Sequence, residues 1–522
     1  MPGATVPEAR LVPPRCSIRR RAFGVPSADG LTRDDLLQYR VPAAREPLAS
    51  PTRRQILGAA LGTVALGALT TGCAPSTSDR TPQPTASSAQ SPSRPRDPKR
   101  TVAVVGAGAA GLAAARRLVD RGLEVVVLEA RERIGGRIHT TNAWPDLPVD
   151  IGASWIHGAT DNPVTALARA AGARTVVTAY DSSEVRVAAE LRGAGLRKPD
   201  TARWEALVGR ALAAVPTSGA DLSLAAAIAA MPETRSLTPA QRADLGFYLA
   251  STYESEWGAD ASELSARTLD DGRGFEGADL LLPDGYQKLM AHLGDGLRIV
   301  LTAPVRAISE AGGQVSVATA DQVLTVAAAI VTVPLSVLQR GSISFTPALP
   351  DTTAHALERL KMGCLSKTFL RFDAPFWPVG IDWQEYAGPH AGQWTEWVSF
   401  AKIGPALLLG LNSGAHARRI EAAPAADVVA EAMRALRDMF GPSVPEPRAV
   451  QTSSWSQDPY AGGSYSFPAV GSSPADRAAL RQPVGERVFL AGEAVEPDYF
   501  GTVHGALLSG RDAAERVAAL LA

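Results

Sequence analysis

Short apolar runs alternate along the chain with longer stretches whose apolar residues recur at helical spacing. Val102–Val105 is an unbroken apolar run that stops at Gly106-Ala107-Gly108-Ala109-Ala110-Gly111, and an Ala/Leu/Arg helix pattern follows to Asp120. A second apolar run, Val125–Leu128, ends in Glu129. This order predicts strand, turn, helix and strand at the head of a β–α–β segment over 101–178. Within it, DNPVTALARAA at 161–171 reads as a helix capped by Asp161 or Asn162, with Pro163 in its first turn. Residues 199–257 are Ala/Leu-rich and helical, 298–333 alternate as short strands, and 425–440 and 503–521 are again helical, with no internal repeat.

The first hundred residues follow another pattern. Arg53-Arg54 precedes an apolar run, Ile56–Leu69, of 14 residues, where a spanning helix needs about 20. Short and rich in Gly and Ala, the run reads as the core of a signal peptide, and the paired arginines point to twin-arginine export. Cys73 follows Leu69-Thr70-Thr71-Gly72, which resembles the bacterial lipoprotein box except that Thr70 stands where an apolar residue is usual. Lipidation of Cys73 and ordinary cleavage nearby are both open. Residues 74–100 are Pro/Ser/Thr-rich and are expected to form a disordered tether behind a 1–73 leader. The long lead at 1–49 is either disordered or lies ahead of a downstream start. The expected location is outside a bacterial cytoplasm, membrane-attached if Cys73 is lipidated.

Length and composition then bound the function. With 522 residues, 46% of them hydrophobic, the chain supports two or more domains with ample core. A net charge of −1 gives no electrostatic case for nucleic acid. The three cysteines, Cys16, Cys73 and Cys364, cannot make a disulfide scaffold, and processing at Cys73 leaves Cys364 alone in the folded body. No CxxC occurs and no two histidines stand three to five residues apart, so no metal site is expected.

The glycine turn carries the first chemistry. Gly106 permits a tight turn, Gly108 lets a pyrophosphate approach the backbone, Ala110 sits in the first helical turn, and Gly111 lets the helix pack on the strand. The helix N-terminus offers N–H groups and partial positive charge to phosphates. Glu129, 18 residues beyond Gly111, ends the second strand, where a carboxylate can accept both ribose hydroxyls and repel a 2′-phosphate. Ala130, Arg131, Arg133, Gly135-Gly136 and Arg137 extend the motif into EARERIGGR, which looks like a second phosphate-contacting turn and favours FAD over NAD.

Residues 150–158, DIGASWIHG, pose a separate question: whether His157 faces core, metal, nucleotide or substrate. Nothing local settles it.

With these motifs the chain resembles the flavin-containing amine oxidase family, which includes monoamine oxidases, polyamine oxidases and lysine-specific histone demethylases. The resemblance runs from about Thr101 to the C-terminus. It implies an α/β fold in which a discontinuous Rossmann-type FAD-binding domain (101–178, 273–363 and 474–522) is joined to an α+β substrate domain (179–272 and 364–473). PVRAI at 304–308 and VTVPLSVL at 331–338 would be the second FAD segment, with Val305 offering its backbone to the adenine. MGCLSKTFLRFDAPFWP at 362–378 places Lys367 where the family's lysine bonds through a water to flavin N5, and a cation there assists oxygen reduction. SWSQDPYAGGSYSF at 454–467, with Trp455, would cover the flavin. Ser464 stands where monoamine oxidases carry a flavin-bonded cysteine, so the FAD is expected to be non-covalent, and Tyr465 would form one wall of an aromatic cage.

In RVFLAGEAVEPDYFGTVHGALLSG at 487–510, Gly492 and Glu493 would meet the flavin, Glu493 at the ribityl chain. Thr502 and Val503 would open a helix aimed at the pyrimidine end. Thr502 replaces the second cage tyrosine of monoamine oxidases, which leaves room for a longer or bulkier amine. DIGASWIHG resembles the polyamine-oxidase version of its segment, so His157 would face the substrate and hydrogen-bond an amine nitrogen; the alternative is a histidine satisfied by backbone. Amino-acid oxidases carry an arginine in this segment, and this chain has Ala153-Ser154-Trp155. Of the acids in TYESEWGADASEL, Glu254 is the one aligned with a polyamine-binding glutamate, against the alternative of a solvated helix face. The reading is an FAD-dependent oxidase that uses O₂ to convert polyamines through imines to aldehydes, with H₂O₂ released. An oxidase of monoamines or simple diamines, or an anchored polyamine-binding flavoprotein without turnover, is the alternative.

Overall fold

A computed structural model describes residues 97–522; the expected twin-arginine leader, Cys73 and the expected tether up to residue 96 lie outside the described residues. The tether was expected to run through Arg100, but Asp97–Arg100 form a turn in which Arg100 N–H donates to Asp97 O at 3.1 Å and the Thr101 hydroxyl to the same oxygen at 2.7 Å.

The first element is a five-stranded parallel sheet. Its strands are β1 (Thr101–Val105), β2 (Glu124–Leu128), β3 (Ile299–Val300), β4 (Ala328–Val331) and β5 (Val488–Leu490), in the order β5-β4-β1-β2-β3. β1 and β4 read as unbroken apolar runs because both sheet faces are covered. Helix α1 (Ala109–Asp120) packs against α2 (Val503–Leu520) through small residues: a Cβ on Gly510 would lie 2.1 Å from Ala110 O. The expected β–α–β segment and C-terminal helix are therefore present.

A second sheet of six strands runs Ala449–Thr452, Leu365–Arg371, Leu407–Ser413, Glu396–Ser399, Trp383–Ala387 and Ser183–Val187. All neighbours are antiparallel except the last pair. Registered partners share a face, so Lys367, Leu411, Glu396 and Glu385 form one row across four strands. Residues 307–346 supply a four-stranded sheet, and Asp279–Leu281 lies between Trp155–Ile156 and Val176–Thr178 in a three-stranded one.

The helical stretch expected at 199–257 is present in pieces: Thr201–Ala213, Leu224–Ala229 and Pro239–Leu249, then a π-helical turn at Ala250–Glu254 and a last turn, Ser255–Trp257, ended by Gly258 at φ 61°. Asn162, rather than Asp161, caps Pro163–Ala170, its Oδ1 accepting from Val164 N–H at 2.9 Å. Among the described residues, no helix is long and apolar enough to cross a membrane.

Candidate active site

A cavity of about 640 Å³ runs from the glycine turn, past the ends of β1 and β2, to the face of the six-stranded sheet. Gly106 holds φ 104° beneath the Thr332 hydroxyl, and a Cβ on Gly111 would meet Gly106 O at 1.9 Å. Gly111 thus acts by letting α1 approach β1 and does not line the cavity, whereas Gly106, Gly108 and Ala110 do. Gly136, at φ 58°, faces Gly108 so closely that its Cβ would sit 3.4 Å from the Gly108 Cα. Two glycine turns therefore meet back to back. Gly108 provides no side-chain cap for α1, so the helix N-terminus meets the cavity as backbone alone.

Acids and guanidiniums border this end. Glu129 is buried at the end of β2, where its two oxygens accept from Ala107 N–H at 2.7 Å and Arg131 N–H at 2.9 Å. The Arg131 guanidinium is itself held by Asp458 in a bidentate pair at 2.7 and 2.8 Å. Glu493 accepts from Arg137 at 2.8 Å, from the Ser466 hydroxyl at 2.6 Å and from Gly501 N–H at 3.1 Å. Burial pushes its carboxyl upward, but the charges of Arg137 and Arg477 and the Ser466 hydrogen bond outweigh this and hold it below the ordinary glutamate value. Arg477, buried, reaches the same Ser466 hydroxyl at 2.8 Å and lies over the Phe500 ring at 3.8 Å. Ala130, Val305, Gly492 and Val503 complete this wall, with Trp455, whose indole N–H donates to Ile151 O at 2.7 Å.

Lys367 stands at the other end, 5% exposed. Its ammonium donates to Gly152 O at 2.5 Å, to Asp150 O at 3.3 Å and to the Ser154 hydroxyl, and lies 5.1 Å from the centre of the Trp155 ring. Burial pushes this ammonium down to about 7, and the buried Asp150 carboxylate opposes the shift. Asp150 accepts from the Thr140 hydroxyl at 2.5 Å and Tyr286 N–H at 3.0 Å.

His157, Trp155, Trp383 and Tyr180 stack in sequence, with centroid separations of 6.4, 6.2 and 4.4 Å, and all four line the cavity. His157 therefore borders the cavity while its ring is held by protein: Nδ1 lies 3.2 Å from Asp279 Oδ2. Tyr465 lines the same space and donates its hydroxyl to Glu256 O at 2.9 Å and Ser255 O at 3.3 Å, tying the cavity wall to the short Ser255–Trp257 helix. Ser464 accepts Leu365 N–H at 2.8 Å.

Two expected residues have other local roles. Thr502 lines the cavity as the N-cap of α2: its hydroxyl accepts Gly505 N–H at 2.9 Å and donates to Tyr499 O at 2.6 Å. Glu254 is not among the lining residues; its carboxylate turns to Ala261 N–H at 2.9 Å, and Glu256 lines the cavity instead. Burial and the Asp260 charge push the Glu254 carboxyl up to about 7. A raised carboxyl binds its proton more tightly in the folded state, so wild-type stability falls as pH rises from about 4.5 to about 7. Glu254→Gln, which keeps the bond to Ala261, is expected to remove that fall and to raise Tm relative to wild type at pH 8 but not at pH 4.5. Thermal unfolding at the two pH values checks this.

Glu396, Arg477, Asp150 and Asp279 were not singled out from sequence as functional side chains, and Glu256 was offered only beside Glu254, Asp260 and Glu263 as one of the acids at 252–264. Among the described residues, no group of three or more His, Cys, Asp or Glu side chains converges as a metal ion requires, and Cys364 is a buried free thiol whose pKa burial raises.

Residues 109–518 match the family described as flavin containing amine oxidoreductase. Lysine-specific histone demethylase 1 homolog 1 of Oryza sativa subsp. japonica is 34% identical over 458 residues, which cover 81% of this chain and 53% of the relative. Polyamine oxidase 4 of the same plant is 32% identical over 431 residues, covering 80% and 88%. The chain thus spans about half the length of the demethylase relatives and most of the oxidase. Putrescine oxidase bound to putrescine has the same fold, with a TM-score of 0.64 at 21% identity, covering 80% of this chain and 99% of that one.

Proposed function

The chain belongs to the flavin-containing amine oxidoreductase family, and from that premise we propose that it oxidises polyamines with O₂ as acceptor, using FAD held without a covalent bond. The observation that carries the substrate class is the composition of the cavity beyond Lys367. Four stacked rings line it together with two acidic residues, Glu256 and Glu396. Glu396 is buried, two strands from Lys367 in the registered row, which is about 10 Å across the sheet. Aromatic faces and carboxylates attract cations, and a substrate with several ammonium groups satisfies both.

The residues present fit a flavin dinucleotide. The two facing glycine turns and the uncapped N-terminus of α1 would take the pyrophosphate, Glu129 a ribose, and Glu493 with Arg137 the chain that leads to the ring. Bound flavin would supply the two-electron acceptor that turns the amine into an imine, which water hydrolyses to aldehyde and shorter amine as oxygen becomes hydrogen peroxide. The protein holds a positive charge at Lys367, orients the amine between His157 and Tyr465, and excludes water with the aromatic row. Ser464 has no thiol to bond the ring, which supports non-covalent binding.

Two measurements test the reading. Acid precipitation is expected to release the yellow cofactor into the supernatant, and flavin remaining with the pellet would refute non-covalent binding. Spermine and spermidine are expected to bleach the flavin rapidly without oxygen, and tyramine and L-phenylalanine slowly. The opposite order would move the substrate class to monoamines or amino acids.

A further inference from the structure

We infer that Asp279 is a positioning residue: its carboxylate fixes His157 as the Nδ1–H tautomer and leaves Nε2 as a hydrogen-bond acceptor for the bound amine. The inference rests on reading the cavity as the amine site. Asp279 opens the central strand of the three-stranded sheet, and its side chain is 8% exposed. One oxygen accepts Gly158 N–H at 2.8 Å, and the other lies 3.2 Å from His157 Nδ1.

Several contacts make this arrangement rigid. Gly158, at φ 65°, turns so tightly that a Cβ would fall 1.9 Å from Phe275 O. The His157 carbonyl accepts from Asn162 Nδ2 at 2.9 Å, and the imidazole stacks on Trp155. Two other titratable groups lie nearby. Burial, with a smaller contribution from His157, pushes His504 down to about 3 and keeps it neutral, and Lys367 lies across the Trp155 ring.

An ionised carboxylate only accepts, so the nitrogen facing Asp279 carries the hydrogen. The isolated imidazole prefers the other tautomer, and the carboxylate reverses that preference. The result matters to an amine. Amine oxidation withdraws electrons from nitrogen, and an acceptor at its N–H supports that withdrawal. A ring N–H in the same place would either oppose the ammonium hydrogens or tie up the nitrogen lone pair.

Asp279→Asn separates this role from a structural one. Asparagine can still accept Gly158 N–H through its carbonyl, while its NH₂ group faces Nδ1 and demands a lone pair there, inverting the tautomer. Full-length protein with ¹⁵N-labelled imidazoles, with the His157 signal assigned by His157→Gln, reports the tautomer by NMR. Wild type is expected as Nδ1–H and Asp279→Asn as Nε2–H. The variant is expected to lose about 100-fold in kcat/KM with Tm and flavin content unchanged, and Asp279→Glu to recover part of the loss. An Nε2–H signal in wild type, or an Asp279→Asn kcat/KM within about threefold of wild type, overturns the assignment. If the variant does not fold, the wild-type tautomer decides alone. Because the tautomer is read without substrate, an Nδ1–H signal stands even if no polyamine bleaches the flavin, and the two readings fail separately.

Discussion

Lys367→Met is expected to lower turnover on saturating amine near neutral pH by about 100-fold or more, with the fold and flavin content retained. Methionine matches the length and apolar stem of lysine, so the sheet face on which residue 367 sits keeps its packing. What disappears is a buried cation with three protein acceptors: Gly152 O, Asp150 O and the Ser154 hydroxyl. Transition-state charge is strongly stabilised by a buried donor that the fold holds in place before the reaction begins. The sign of the pH dependence follows from the burial. Lys367 is pushed down to about 7, so its charged fraction falls as pH rises through that value. Wild-type turnover should decline above it, and the methionine variant, which has no charge to lose, should stay flat. Steady-state turnover against pH, with rapid mixing of reduced enzyme and oxygen, measures both. A variant within about threefold of wild type would remove Lys367 from the chemistry.

Glu493→Gln is the second large effect. The wild-type carboxylate lies between Arg137 and Arg477 and accepts from Ser466 and Gly501. Glutamine has nearly the same shape but leaves two guanidiniums facing a neutral amide, and breaking a buried pair costs about 3 kcal/mol. The expected result is a lower Tm and flavin lost on gel filtration. The carboxyl is held below its ordinary value, so its contribution to stability is present above about 4.5 and is lost as pH falls through the folded value. The gap between variant and wild type should therefore close in acid. A Tm difference that persists unchanged at low pH would mean that packing, not charge, is what Glu493 supplies.

What could be read from the sequence was what a contiguous stretch specifies. The glycine turn, Glu129 and the helices expected at 425–440 and 503–521 each depend on neighbours within a few turns, and each is found where the local pattern put it. Lys367 and Tyr465 were found through their motifs, and both line the cavity. Asp279 was illegible: one acid in EGADLLLPDG has no periodicity, and its meaning comes from the antiparallel pairing that brings it beside His157, 122 residues away. Arg477 likewise acquires its role only when β5 and the loop after it fold over Ser466.

The parallel sheet has a consequence for how the protein is made. β1 lies beside β4, β4 beside β5, and α2 closes over α1, so the cradle draws on both extremities of the folded region. A nascent chain still on the ribosome has the glycine turn and Glu129 long before it has Glu493 or the first turn of α2. Residues that would cradle the flavin thus come from both ends of the folded region, so capture waits until Glu493 and the first turn of α2 have been made.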